Sequence, residues 1–399
     1  MRERGTLPVL AKGMRALCYL RELLLMLLLK PVAAVLRRVS PRYRHVWLVS
    51  ERGDDARDNG YWFYRYLREE QKQVNARYII TADSPDSEKI ARLGGAVRYR
   101  SFQHYLLYYC ADKLISTHVQ PCAPDLMIHY HLANKGIRAR GKQVFLQHGI
   151  IKDEMQWLRR GNLYIDLFVC GAKPEYDYIH REFGFPEGVA QYLGLCRFDN
   201  LLRAAGHQRM ILVMPTWRGA HYPSGDTFRQ TAFCRAYQSL LESPELHALL
   251  KTFNCRMVFY PHIEMQKHMD CFHTTNPRVE IATSATHDVQ QLLMDCGILV
   301  TDYSSVFFDV AYLRKSVFYY QFDEAEFRKY HYQQGYFDYR RDGFGPVLTD
   351  EKTLLESLQA CLEQNMRPSE TYTERMDAFF PLHDGKNCAR TYNAICKLH

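Results

Sequence analysis

The sequence predicts an α/β protein built from two Rossmann-like lobes that face each other across a cleft. A length of 399 residues exceeds one ordinary hydrophobic core and suits two domains of about 150 to 200 residues each. Short apolar runs alternate with amphipathic helical patterns, as parallel sheets with crossover helices require. That series occurs twice, on either side of a polar, glycine-containing stretch near 201–209. With 47% hydrophobic and 24% charged residues and no low-complexity tract, the chain reads as folded throughout.

The amino-terminal segment (1–40) carries MRALCYLRELLLMLLLKPVAAVLRRV at 14–39. Its longest uncharged run, 23–29, is seven residues, whereas a bilayer-spanning helix needs about 20. Lys12, Arg15, Arg21, Lys30, Arg37 and Arg38 flank and interrupt the leucines, as in an amphipathic interfacial helix on an anionic membrane surface. The alternative is a helix packed on the protein's own core. Arg21 and Glu22 interrupt any signal-peptide core, and no small-residue cleavage site follows.

The first lobe (41–205) has candidate strands HVWLVS (45–50), ARYIITA (76–82), KLISTH (113–118), VFLQHG (144–149) and DLFVCG (166–171). Helical patterns accompany them at 59–70 and 174–183. The second lobe (206–349) repeats the plan with MILVMPTW (210–217), RMVFYPH (256–262), VEIATS (279–284), GILVTDY (297–303) and SVFYYQ (316–321). The remainder, 350–399, is helical in pattern and is expected to pack back across the hinge.

Lysine and arginine exceed aspartate and glutamate by 8 (52 against 44), which favours anionic partners. Without helix-turn-helix, zinc-finger or RNP-like motifs, nucleic acid is not expected among them. The 12 cysteines stand apart with no CxxC spacing, the pattern of reduced cytoplasmic thiols rather than of a disulfide framework or zinc site. No metal is expected.

Open parallel sheets bind ligands beyond the carboxyl ends of their strands, and four strand ends carry polar residues suited to chemistry. In VFLQHGIIKDE, Gly149 permits a sharp turn and His148 enters the cleft either as a general base or as a hydrogen-bonded structural residue. In GILVTDYSSVFFDVAYL, Ser304 or Ser305 is placed to cap a helix whose first amides suit a phosphate or pyrophosphate; a plain cap is the alternative. In RMVFYPHIE, His262 is a donor to a leaving phosphate or a strand-end cap. In LVMPTWRG, Arg218 is suited to bidentate contact with a phosphate.

At these residues the sequence resembles the CDP-glycerol glycerophosphotransferase family, the primases and polymerases of teichoic acids and related capsule polymers. The matching strings fall in order over about residues 143–348: QHG, GLCRFDNL for the family's G-x-P-R-x-D-x-L, PTWRG, YPH, TDYSSVFFD and GYFDY followed by GPV. Upstream, DNGYWFYRYL, with Asn59, is similar to the family's D-N-x-x-x-x-Y-x-L segment near the acceptor side of the cleft. The resemblance implies a GT-B-type fold and transfer of an alditol phosphate from CDP-glycerol or CDP-ribitol, with CMP released and no further cofactor. The implied acceptor is a lipid- or polymer-linked hydroxyl at the cytoplasmic face of the membrane. By motif matching His148 becomes the candidate base, and His262, Ser304, Ser305 and Arg218 the candidate phosphate contacts. Asp302 and Asp309 match motif positions without an assigned role. Ile150 stands where the family often has Thr, and Cys196 where Pro is typical. No helical-repeat extension accompanies the transferase unit, so repeated addition is not implied.

The chemistry expected is displacement at phosphorus, with a base for the acceptor hydroxyl and positive groups for the phosphates. Two other readings remain: a nucleotide-sugar glycosyltransferase on the same fold, and a membrane-bound scaffold that binds anionic polymer without turning it over.

Overall fold

The computed structural model describes residues 6–119, 122–203, 208–218, 226–330 and 333–399, with side chains from residue 17 onward except at 134, 226 and 330. The Lys12 and Arg15 side chains of the basic flank, and Gly219 of PTWRG, therefore lie outside the described residues. So does part of the polar stretch between the lobes.

Two all-parallel sheets form the core. The first contains β1 (Val46–Ser50), β2 (Asn75–Ile80), β3 (Ala96–Arg98), β4 (Lys113–Ser116), β5 (Lys142–Phe145), β6 (Leu167–Cys170) and β7 (Ala190–Tyr192), in the order β3-β2-β1-β4-β5-β6-β7. The second contains β8 (Met210–Met214), β9 (Arg256–Phe259), β10 (Val279–Ile281), β11 (Ile298–Thr301), β12 (Ser316–Tyr320) and β13 (Val347–Leu348), in the order β10-β9-β8-β11-β12-β13. Strands covered by helices on both faces should be apolar without alternation. Accordingly β1, β8, β11 and β12 are buried at every position. The order reverses between β1 and β4 in one sheet and between β8 and β11 in the other. Loops diverge at such points and leave a crevice.

This is the doubly wound, two-lobed α/β architecture expected from the sequence. Three strands are additional: β3, β7 and β13. Each has two or three residues and lies at a sheet edge, too short to print a periodic pattern. The helix Asn387–Cys396 packs on the first lobe, where Asp199 accepts the Asn387 and Cys388 amides at 2.9 and 2.8 Å.

The helix Thr6–Val39 leads through a short 3-10 turn, Pro41–Tyr43, into β1. One face packs on the helix Phe102–Cys110: Met26, Leu29 and Ala33 are buried, and the buried Glu22 carboxylate accepts the Tyr105 hydroxyl at 2.7 Å. The opposite face exposes Leu17, Leu20, Leu24, Leu27, Leu28, Val32, Val35 and Val39. The run 23–29 is thus divided between two surroundings. Part of the basic flank is also engaged within the protein, since Arg37 pairs with Asp112 at 2.5 Å and Lys30 donates to the Arg138 carbonyl at 3.3 Å. No helix among the described residues is long and apolar enough to cross a membrane.

Candidate active site

β5 ends at Phe145, two residues before a left-handed turn at Gln147 (φ 61°). A non-glycine residue there costs about 1–3 kcal/mol and persists only where its surroundings impose it. They do so here. Asn59 Nδ2 donates to the Gln147 carbonyl at 2.8 Å, and the Gln147 side-chain amide donates to the Val169 carbonyl at 2.5 Å. Beyond the turn, buried Glu175 accepts the Ile151 and Gly171 amides, both at 2.6 Å. His148 is delivered between these two anchors.

His148 is exposed to solvent yet surrounded by protein, and this burial of its site is what lowers its pKa from 6.5; the negative Asp58 partly opposes the shift. Nδ1 donates to the Thr117 carbonyl at 3.4 Å, which leaves the Nε2 lone pair of the neutral ring available to take a proton. The ring stacks on His118, with centroids 4.6 Å apart and planes 9° apart. His118 is held in turn by Thr117 Oγ1 at Nδ1 (2.9 Å) and by Arg52 Nε, which donates to Nε2 at 3.3 Å.

His262, at the end of the second lobe's β9, has the opposite tautomer. Its Nδ1 accepts the Glu264 amide at 3.2 Å, so the neutral ring carries its proton on Nε2 and is a donor there. Burial again lowers its pKa. The Trp217 indole lies nearly parallel to it, 17° between planes at 6.4 Å.

Ser304 and Ser305 follow β11, both half-buried. The helix they precede is short, Phe307–Tyr312, and its N-cap position is Val306 rather than either serine. Ser304 Oγ accepts the Val306 amide only at 3.5 Å. The Ser304, Ser305 and Phe307 amides make no hydrogen bond among the described residues. A Cβ added to Gly149 would meet Ser305 Oγ at 3.1 Å. The turn after His148 and the double serine of the other lobe therefore abut, with little room for a side chain at Gly149.

Arg218 is placed differently from the expectation that it meets a phosphate. It is 3% exposed. Nε and Nη2 donate to Asp323 at 2.8 and 3.2 Å, Nη1 donates to the Thr216 carbonyl at 2.8 Å, and Nη2 makes an ionic contact with Asp302 at 2.7 Å, outside hydrogen-bond geometry. With its donors engaged, Arg218 braces the loops after β8 and β11. Asp302, fully buried, accepts the Thr216 and Tyr303 amides at 2.8 and 2.5 Å and ties the same loops. Asp309 and Asn59 are also internal. Asp309 takes Arg197 in two bonds of 2.6 and 2.8 Å, and Asn59 Oδ1 accepts the Arg197 amide at 3.0 Å. These residues hold the site from behind.

Sequence reasoning passed over four residues that the fold brings to it. Arg197 was visible within GLCRFDNL, and it also donates to Asp58 and to the His148 carbonyl at 2.8 and 3.1 Å. His118 ended a candidate strand just as His148 did. Glu51 is buried and accepts the Arg57, Asp58 and Tyr61 amides at 2.8, 2.9 and 2.7 Å. Burial pushes its carboxyl up to about 8, although those three amides favour the charged form. Arg52 gave no sequence signal beyond its place after β1.

The sequence profile of the family described as CDP-Glycerol:Poly(glycerophosphate) glycerophosphotransferase matches residues 32–397. The minor teichoic acid biosynthesis protein GgaB of Bacillus subtilis (strain 168) is 33% identical over 370 residues, covering 88% of this chain and 40% of that protein. The chain thus spans less than half of that relative's length. A solved structure of the wall teichoic acid polymerase TagF, a single-site variant, superposes with a TM-score of 0.67 at 18% identity, over 97% of this chain and 98% of that one. The UDP-GlcNAc 2-epimerase of Methanocaldococcus jannaschii shares the fold more distantly, with a TM-score of 0.52 at 11% identity over 88% and 99% of the two chains.

Proposed function

Because the chain belongs to the CDP-glycerol:poly(glycerophosphate) glycerophosphotransferase family, we propose that it transfers glycerol phosphate from CDP-glycerol to a hydroxyl of a teichoic-acid-like or capsule polymer acceptor. The observation that carries this reading is the meeting of His148–Gly149 from one lobe with Ser305 from the other. A candidate base, unbonded amides and two serine hydroxyls thereby share one cleft.

In the proposed reaction the acceptor hydroxyl oxygen attacks the β-phosphorus of the donor and forms a new P–O bond. The bond from that phosphorus to the bridging oxygen breaks, and CMP leaves with the electron pair. The hydroxyl proton passes to His148 Nε2. His262 donates its Nε2–H to a phosphate oxygen, and the Ser304 and Ser305 hydroxyls with the neighbouring amides hold the pyrophosphate. Fold likeness alone does not decide chemistry, so the assignment rests on the family together with these residues.

The reaction is placed at the cytoplasmic face of a membrane. Support comes from the apolar face of the helix Thr6–Val39, where Leu27 and Leu28 are 66% and 65% exposed, and from the basic Arg38 and Arg44 near its carboxyl end. Such a surface suits anionic lipid.

The test is CMP release. The purified protein is incubated with CDP-glycerol, CDP-ribitol or a UDP-sugar, each with a soluble glycerol-phosphate primer. CMP formation with primer extension is expected from CDP-glycerol. Turnover of the UDP-sugar with none of either CDP-alditol would establish a glycosyltransferase instead, and primer binding without turnover of any donor would establish a binding scaffold.

A further inference from the structure

The cleft needs positive charge for a phosphate, yet most arginines and lysines around it are already engaged. Arg197 is held by Asp309 and Asp58, Arg218 by Asp302 and Asp323, Arg57 by Asp86, and Lys152 by Asp153. Arg197 and Arg218 each face two carboxylates and Arg57 and Lys152 one each, so none of the four offers an unopposed positive charge to an anion.

Arg52 differs. It follows β1 at the first sheet's reversal of strand order, the crevice position, and it is exposed. Its Nε donates to His118 Nε2 at 3.3 Å, which fixes the plane of the guanidinium beside the His118–His148 stack. Its terminal nitrogens make no hydrogen bond or ion pair among the described residues. Asp55 accepts the Arg52 backbone amide at 3.3 Å and feels the charge of the guanidinium without pairing with it. Burial is the main reason that His118, His148 and His262 resist protonation, and the positive charge of Arg52 adds to it at all three. One uncommitted cation thus lies within electrostatic reach of histidines from both lobes. A guanidinium held at Nε with both terminal groups open is arranged for a two-pronged contact with phosphate oxygens.

We propose that Arg52 is a phosphate-binding residue of the cleft, contacting a substrate phosphate beside His148, with His118 as the positioning residue that holds it. The proposal rests on the transferase reading for the identity of the substrates. A phosphate at this point comes either from the pyrophosphate of the donor or from a phosphodiester of the acceptor.

The experiment is calorimetric titration of wild type, Arg52→Gln and Arg52→Lys with CMP, with CDP-glycerol and with a soluble glycerol-phosphate oligomer, alongside thermal unfolding of each protein. Arg52→Gln is expected to leave CMP affinity within about twofold and to lose tenfold or more for one of the other two ligands, with Arg52→Lys in between. Loss confined to CDP-glycerol identifies the donor pyrophosphate, and loss confined to the oligomer identifies the acceptor phosphodiester. Equal affinities of wild type and Arg52→Gln for all three ligands overturn the proposal, as does a wild type that binds none of them. A wild type that binds the ligands but releases no CMP in the transfer assay sinks the transferase reading, while the binding comparison still judges Arg52. Should Arg52→Gln fail to fold, Arg52→Lys decides on the same measurements, because it keeps the charge and loses the fork.

Discussion

The Arg197 guanidinium and the Asp309 carboxylate meet in two parallel hydrogen bonds of 2.6 and 2.8 Å between the two lobes, both side chains less than 10% exposed. The same guanidinium donates to Asp58 and to the His148 carbonyl. One ion pair therefore joins the lobes and steadies the backbone of the candidate base. Removing Asp309 takes two charge-assisted hydrogen bonds from a buried guanidinium and leaves it Asp58 alone, which costs about 1.5–3 kcal/mol. Asp309→Ala is expected to lower unfolding stability by that order in denaturant titration and to reduce turnover as well. A stability loss below about 1 kcal/mol would mean that the pair does not link the lobes.

His148→Ala is expected to lower turnover by about 10²-fold or more, the usual scale of general-base contributions, while CDP-glycerol binding persists. Single-turnover rates and donor titration separate the two quantities. Near-normal turnover would leave His148 a structural residue.

The pH dependence has a definite sign. A base must be neutral to accept a proton, and burial lowers the His148 pKa from 6.5 by disfavouring the charged ring. The neutral form therefore persists below the pH at which an ordinary histidine protonates, and activity falls only as pH drops through the lowered value. The acid limb of kcat/KM is expected below pH 6.5 in wild type. An acid limb above that value would assign the base to another group.

Combined Ser304→Ala and Ser305→Ala substitution is expected to weaken donor affinity more than acceptor affinity, and only in part. The hydroxyls are lost, whereas the unbonded backbone amides beside them remain. Equilibrium titration with CDP-glycerol measures the effect, and unchanged affinity would remove these serines from the donor site.

Changing Leu24, Leu27 and Leu28 together to Gln is expected to release the protein from anionic vesicles and to spare transfer to a soluble primer. All three side chains lie on the exposed face of the helix Thr6–Val39. Deleting the whole helix is a poorer probe, since it also uncovers the surface beneath Met26, Leu29 and Ala33. Wild-type binding should weaken with salt, because surface charges are screened over about 10 Å at 0.1 M. Vesicle sedimentation with a soluble-primer assay checks both, and undiminished vesicle binding by the triple variant would refute the anchor.

The two parallel sheets and the strand ends bearing His148, His262, Ser304 and Ser305 were legible in the sequence for a local reason. A strand covered on both faces must be apolar along its length, and the polar residues that interrupt it mark its exit to solvent. Other features depended on partners far apart in the chain. Arg218 looks the same in sequence whether it meets a ligand or a carboxylate, and only the approach of Asp302 and Asp323, 84 and 105 residues later, engages its donors inside the protein. Arg52 shows the converse: nothing local marks it, and its open terminal nitrogens follow from where β1 and β4 end side by side. The edge strands β3, β7 and β13 were too short to read because their neighbours' backbones, rather than their own side-chain pattern, hold them in place. Residue type and spacing thus determined which groups could do chemistry. Tertiary structure decided which of their charges and hydrogen bonds were already satisfied, because that depends on pairings between segments the sequence keeps apart.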